Sequence, residues 1–86
     1  MRALANGSST LKTLRSPRHR ALCAALVSAR KAAKLSQHAL AARLKSSQTQ
    51  IARIEIGERR LDVVEFLDMA KALHIDPHKV IADLMK

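Results

Sequence analysis

The stretch that decides the fold is LSQHALAARLKSSQTQIARIEIGERR, residues 35–60. Apolar side chains recur in it at the spacing of one helix face, first as Leu40, Ala41 and Leu44 and then as Ile51 and Ile54. A serine, Ser36 or Ser47, precedes each set at the position of an N-cap, where a hydroxyl accepts a hydrogen bond from the first turn. The pattern predicts two short helices, at about 37–44 and 47–56.

The connection between these two helices is very short, since only Lys45 and Ser46 separate them. That is too little chain for an antiparallel hairpin of long helices. It suits a helix-turn-helix, in which two short helices cross at about 90–120°. Ala41 is small where such helices approach most closely, and Gly57 stands where a left-handed residue is expected to end the second helix.

The outer face of the second helix carries side chains that suit the edges of bases. With the two isoleucines inward, about 100° of rotation per residue places a polar set on the outer face or its flanks. This set is Gln48, Thr49, Gln50 and Arg53. Gln can pair with adenine, Arg with guanine, and the Thr methyl group can contact thymine. An ordinary solvated helix face is the alternative interpretation.

Phosphate contacts are expected beside this set. Gln37 and Ser47 stand at the predicted N-termini of the two helices, where side-chain and backbone N–H groups can bind phosphate oxygens.

Further helix signals lie on both sides. Three more N-terminal signals occur, at Ser16-Pro17, at Asp62 with Glu65, and at Asp76-Pro77. The first of these helices is expected to run to about Ala33. We therefore predict an all-α domain of five helices over residues 17–86.

The charge of the chain is strongly basic and unevenly distributed. Sixteen Lys and Arg against seven Asp and Glu give a net charge of +9 in 86 residues. Residues 1–20 contain five basic and no acidic residues, 21–60 contain eight against two, and 61–86 contain three against five. A polyanionic partner is expected, and it would lie against the first 60 residues.

Several classes of protein are excluded by composition. The single aromatic residue, Phe66, argues against a stacking platform for single-stranded nucleic acid. The single cysteine, Cys23, allows no internal disulfide and no cysteine zinc site, which favours an intracellular protein. The longest apolar run, residues 21–27, is too short to span a bilayer. His74 and His78 are not expected to bind a metal, since Asp76-Pro77 interrupts the helix between them.

Residues 1–16 are basic, free of acids and poor in apolar side chains. We expect them to form a flexible basic arm that precedes the helix-turn-helix domain. An organellar transit peptide is an alternative for a segment of this composition.

The chain resembles the Cro/lambda-repressor-like helix-turn-helix proteins, the XRE family, over residues 20–76. The matching positions are Arg30, Leu35-Ser36-Gln37, Leu40-Ala41, Ile51, Ile54-Glu55, Gly57 and Leu73. The resemblance implies that helix 47–56 enters the major groove. It also implies phosphate contacts by Gln37, Ser47 and the pair Arg59-Arg60, and an ion pair between Arg30 and Glu55. Arg59 and Arg60 have solubility as their alternative role.

Two positions depart from the family pattern. Lys45 stands where the turn commonly has Gly, so it must either accept a left-handed conformation, at a cost of about 1 kcal/mol, or bend differently. Ile56 faces outward, where it contacts the DNA backbone or simply begins the next turn.

These observations and the resemblance together predict a sequence-specific regulator of transcription, most simply a repressor, that binds double-stranded DNA. We expect no enzyme activity, cofactor, metal or membrane partner, and a cytoplasmic, nucleoid-associated location. The apolar side of the C-terminal helix is expected either to complete the core or to form the contact of a homodimer. Two alternatives remain for the function: an antitoxin that also binds a partner protein, and a scaffold that bridges transcription factors.

Overall fold

The computed structural model describes residues 16–86, which form five α-helices and no strand. The helices are α1 Pro17–Ala32, α2 Gln37–Arg43, α3 Gln48–Glu55, α4 Val63–Leu73 and α5 Pro77–Leu84. The predicted all-α, five-helix class is confirmed. The predicted arm at residues 1–16 lies outside the described residues, apart from Ser16.

Each helix begins at the cap that the sequence indicates. The side chains that accept a hydrogen bond from the first turn are Ser16, Ser36, Ser47, Asp62 and Asp76. At α4 the capping box is complete, because Asp62 accepts from the Glu65 backbone at 2.7 Å and Glu65 accepts from the Asp62 backbone at 3.1 Å. Local side-chain chemistry therefore fixes where the helices start.

Residues in the left-handed region follow the first four helices. They are Lys34, Lys45, Gly57 and His74, with φ angles of 59°, 54°, 84° and 57°. At the turn of the helix-turn-helix, Lys45 takes this conformation and the Ser46 N–H donates to the Ala41 carbonyl at 2.9 Å. The chain thus reverses after α2 without a glycine, the first of the two outcomes expected for Lys45. α2 ends at Arg43 and α3 at Glu55, each one residue earlier than predicted, and α3 begins at Gln48 because Ser47 is its N-cap.

The core forms where α2 and α3 pack against α1 and α4. Its largest fully buried side chains are Leu26, Leu40, Ile51 and Met69. Removing such a side chain from water stabilises the fold by about 1.5–3 kcal/mol. Ala41 is buried as its size suggests, and Cys23 is buried as well, at 6% exposed. The core therefore holds α3 firmly by its inner face.

The two last helices present apolar side chains to solvent. On α4 these are Val63, Val64 and Leu67, and on or beside α5 they are Ile81 and Met85. α5 has no fully buried residue, although Val80 packs against the core. The apolar side chains of α4 and α5 are therefore less completely buried than those of the helix-turn-helix.

Candidate nucleic-acid interface

The outer face of α3 is fixed by the burial of its inner face. Ile51 and Ile54 are buried, which leaves Thr49 and Arg53 exposed and Gln48 half-buried. Ser47 caps the helix, its hydroxyl accepting from the Gln50 N–H at 3.2 Å. The exposed part of α3 consequently presents hydroxyl, amide and guanidinium groups.

Arg30 of α1 and Glu55 of α3 form a bidentate ion pair at the inner edge of this surface. Arg30 Nε donates to Glu55 Oε2 at 2.6 Å and Nη2 donates to Oε1 at 3.0 Å. Their side chains are only 12% and 5% exposed. Arg30 Nη1 also donates to the Leu35 carbonyl at 2.8 Å, so the same guanidinium holds the loop before α2.

The carboxylate of Glu55 stays ionised in this environment. Burial acts to raise the pKa of Glu55, but the hydrogen bonds from Arg30 and Gln37 and the positive charge of Arg30 outweigh burial and lower it. Glu55 is therefore a fixed acceptor at neutral pH.

A chain of side-chain hydrogen bonds leads from Glu55 to the outer face. Gln37 Nε2 donates to Glu55 Oε1 at 2.9 Å, and Gln48 Nε2 donates to Gln37 Oε1 at 2.6 Å. Because an ionised carboxylate only accepts, Gln37 must present its amide nitrogen to Glu55 and its oxygen to Gln48. Gln48 is then left with one N–H and its carbonyl oxygen free, a donor and an acceptor side by side.

Gln50, the remaining flank residue of the predicted base-reading set, differs from the other members. Its Oε1 is buried and has no hydrogen-bond partner among the described residues. The residue Gln50 lines a cavity between α3 and α4, so its side chain would have to turn outward to reach a base. The angular position of Gln50 on the helix does not reveal this, since a flank residue can turn either way.

The basic pair after α3 is divided between two environments. Arg59 donates to both carboxylate oxygens of Glu65, at 3.2 Å and 2.7 Å, and also to the Arg60 carbonyl at 3.1 Å. The hydrogen bond from Arg59 and that from the Asp62 backbone lower the pKa of Glu65. Arg60 is exposed. The sequence indicates Glu65 only as part of the helix cap, and nothing in it shows that Glu65 is also the partner of Arg59.

Ile56 directly follows the last residue of α3 and is 68% exposed. It is the C-cap residue of α3, its N–H donating to the Ala52 carbonyl at 3.1 Å. Ile56 thus ends the helix and leaves an apolar side chain in solvent beside the basic pair.

Two short crossed helices, the second exposed along one face, are the architecture by which helix-turn-helix proteins bind duplex DNA, and α2 with α3 has it. A helix-turn-helix family model matches residues 26–80. The solved structure of an XRE-family like protein from Pseudomonas syringae pv. tomato str. DC3000 is similar throughout. It is 39% identical, the match covers 92% of this chain and 95% of that chain, and the TM-score is 0.78.

The chain therefore belongs to the XRE-type helix-turn-helix family of DNA-binding transcription regulators. Members of this family are typically regulators rather than enzymes. No curated protein matches the chain significantly.

Neither a metal-ligand cluster nor a membrane-spanning helix occurs among residues 16–86. No three His, Cys, Asp or Glu side chains of that range come together as metal ligands would. In the same part of the chain, none of the helices has the length and apolar character needed to cross a membrane.

Proposed function

We propose that this protein is a sequence-specific transcriptional repressor that inserts α3 into the major groove of double-stranded DNA. The base-reading side chains are Gln48, Thr49 and Arg53, together with Gln50 once it turns outward. Repression follows most directly from a compact domain that occupies a site on DNA and thereby blocks it. Such a protein acts in the cytoplasm, on the nucleoid.

The observation that carries this proposal is the hydrogen-bond chain through Gln37. It supports base reading because it fixes which atoms Gln48 offers outward, an N–H and a carbonyl oxygen. That pair matches N7 and the N6 amino group of adenine, a bidentate contact that discriminates between bases by about 1–3 kcal/mol. Holding the amide in place before binding also reduces the entropy lost on complex formation.

Phosphate contacts are proposed on both sides of α3. Ser47 stands at its N-terminus, and Arg59 and Arg60 follow its C-terminus. Gln37 retains one amide N–H after its bond to Glu55 and can donate it to a phosphate oxygen. In this proposal a phosphate shares Arg59 with Glu65, whereas Arg60 is freely available.

Selection of binding sites from random duplex DNA, followed by footprinting, tests this function. We expect a defined sequence to be enriched and protected in the major groove. Recovery of sequences with no common element, together with equal affinity for all of them, would contradict a base-reading role and leave only electrostatic binding.

A homodimer through the C-terminal helix is the proposed assembly. Ile81 and Met85 are exposed there, Met85 to 75%, and a two-fold contact between copies would cover them. Half-sites about 34–36 Å apart on the DNA would follow. Sedimentation equilibrium should show a dimer that Ile81→Lys converts to a monomer, and a wild-type protein that stays monomeric at all concentrations would rule it out.

An antitoxin role is the second candidate, favoured by the apolar surface of α4. Val63, Val64 and Leu67 are exposed outside the proposed DNA surface and provide a face for a second protein. This role predicts one stoichiometric protein partner whose binding is lost in Val64→Lys while DNA binding persists. If the intact protein were purified free of any partner, the antitoxin role would be contradicted and the repressor role would remain. A scaffold that reads no bases would instead fail the site selection above.

A further inference from the structure

A groove lies between the start of α1, the loop after α3 and the end of α5. It opens to solvent and has a volume of about 240 Å³, far more than the roughly 10–15 Å³ that a single water needs. Its lining brings together Arg18 and Arg60, which are far apart in the sequence. The fold thus places a basic residue of the first helix beside one of the proposed phosphate contacts.

Both arginines are available to an anion from outside the domain. Arg18 and Arg60 are exposed, and neither forms an ion pair with another of residues 16–86. No acidic side chain of residues 16–86 lines the groove. Two guanidinium groups with no carboxylate between them attract an anion, and their fork of N–H donors matches the oxygens of a phosphate group.

The groove also has an apolar part. Three half-buried leucines accompany the exposed arginines, namely Leu22, Leu61 and Leu84. A small inorganic anion would leave these leucines uncovered, whereas a strand of DNA carries the carbon atoms of a deoxyribose beside each phosphate. Exposed cations next to an apolar lining therefore fit a sugar–phosphate backbone better than a free ion.

The groove is continuous with the surface that is proposed to contact DNA. Arg60 follows Arg59 in the loop after α3, and both are proposed phosphate contacts. Ser16, at which residues 1–15 join the domain, lines the groove as well. Residues 1–15 contain three basic residues and no acidic one. The positive charge of the loop after α3 therefore continues onto the start of α1.

We propose that this groove holds the sugar–phosphate backbone of the duplex that α3 reads. Arg18 donates to the phosphate that Arg60 contacts or to the adjacent one, and a deoxyribose packs against the leucines. Arg18 is thereby a DNA-binding residue of α1, outside the helix-turn-helix. This inference rests on the proposed function, from which it takes the phosphate contact of Arg60.

The test is the affinity of the full chain for random duplex DNA, measured at several salt concentrations. Arg18→Ala should reduce the slope of log K against log salt by about 0.9, the value for one phosphate. The same relation makes binding about fivefold weaker at about 0.15 M salt. Arg18→Lys, which retains the charge, should keep the slope of the wild type.

The matched control is Arg20→Ala, the same change at an exposed position of α1 outside the groove, which should leave the slope unchanged. Equal slopes for Arg18→Ala and Arg20→Ala, in a wild-type protein that binds DNA, would overturn the groove contact and leave the proposed function standing. If the wild type did not bind duplex DNA at all, both would be contradicted.

Ethylation interference on the selected site locates the contact. Ethylation of a phosphate blocks binding only where the protein contacts it. The phosphate at which interference disappears in Arg18→Ala should be the one at which it disappears in Arg60→Ala, or its neighbour on the same strand. Interference that disappears at a distant phosphate, or at none, would contradict a shared groove.

Discussion

Glu55 accepts hydrogen bonds from both Arg30 and Gln37 and is almost completely removed from solvent. Its replacement by Ala leaves a buried guanidinium and a buried amide without an acceptor. We expect Glu55→Ala to reduce the free energy of unfolding by about 3 kcal/mol, measured by urea denaturation.

The matched control is an ion pair in solvent. Lys86 Nζ lies 3.5 Å from Asp83 Oδ1, and the side chains of Asp83 and Lys86 are 57% and 82% exposed. Asp83→Ala should change stability by less than about 1 kcal/mol. If the two variants lost equal stability, the pair between Arg30 and Glu55 would be no more than a surface contact.

The lowered pKa of Glu55 predicts how stability depends on pH. Its ordinary value is 4.5 and the folded value lies below it, so at pH values between the two the unfolded chain binds more protons. The contribution of Glu55 is complete above the unfolded pKa and is lost as the pH falls through the folded one.

Glu55→Gln should therefore make the loss of stability in acid shallower below about pH 4.5. Some loss remains, because the pKa of Glu65 is lowered as well. Denaturation midpoints measured from pH 7 to pH 3 check this. If the midpoints of wild type and variant fell in parallel with pH, folding would not lower the pKa of Glu55, and the prediction would be wrong.

The turn between α2 and α3 has a lysine at a position that requires a left-handed backbone. Lys45 adopts φ of 54°, a conformation that Gly takes without steric cost. We expect Lys45→Gly to increase the free energy of unfolding by about 0.5–1 kcal/mol.

Gly57 is the matched position after α3, with φ of 84°. A Cβ there would lie 3.9 Å from the His19 ring, which is ordinary contact, so Gly57→Ala should lose about 1 kcal/mol through backbone strain alone. Thermal denaturation of both variants measures the two effects. A loss of stability in Lys45→Gly would mean that the lysine side chain supports the turn.

Helix starts were predictable from sequence because each depends on one capping side chain close to the helix, as at Ser36 and Asp62. Helix ends were less predictable. A glycine at position 57 indicates a left-handed conformation, whereas Lys34 and His74 adopt that conformation although they are not glycines. In those places hydrogen bonds such as that from the Ile75 N–H to the Ala70 carbonyl determine the backbone.

Some features of the candidate site were likewise predictable from the sequence, and others were not. Helical rotation placed Thr49 and Arg53 on the exposed face, and the family resemblance indicated that Arg30 and Glu55 lie together. Neither could reveal that Gln50 turns inward or that Arg59 pairs with Glu65, since both depend on how α4 packs against α3. Side chains at the margin of a helix face are decided by tertiary neighbours.

Over the whole molecule, the excess of positive charge lies in residues 1–60, and residues 61–86 are slightly acidic. We propose that the predicted basic arm adds positive charge to the contact with DNA. Deletion of residues 1–15, which keeps the Ser16 cap, should weaken binding to all DNA sequences. It should also reduce the slope of log K against log salt by about 0.9 for each phosphate that the arm neutralises. A slope equal to that of the full chain would show that the arm neutralises none.

In the proposed function Gln48, held by Gln37 and Glu55, reads a base. The most direct measurement compares Gln48→Ala with wild type on the selected site and on random duplex DNA. Arg60→Ala, a proposed phosphate contact, serves as the control that should weaken both complexes alike. We predict that Gln48→Ala loses about 1–3 kcal/mol on the selected site and much less on random DNA. Equal losses on the two DNAs would contradict base reading by α3.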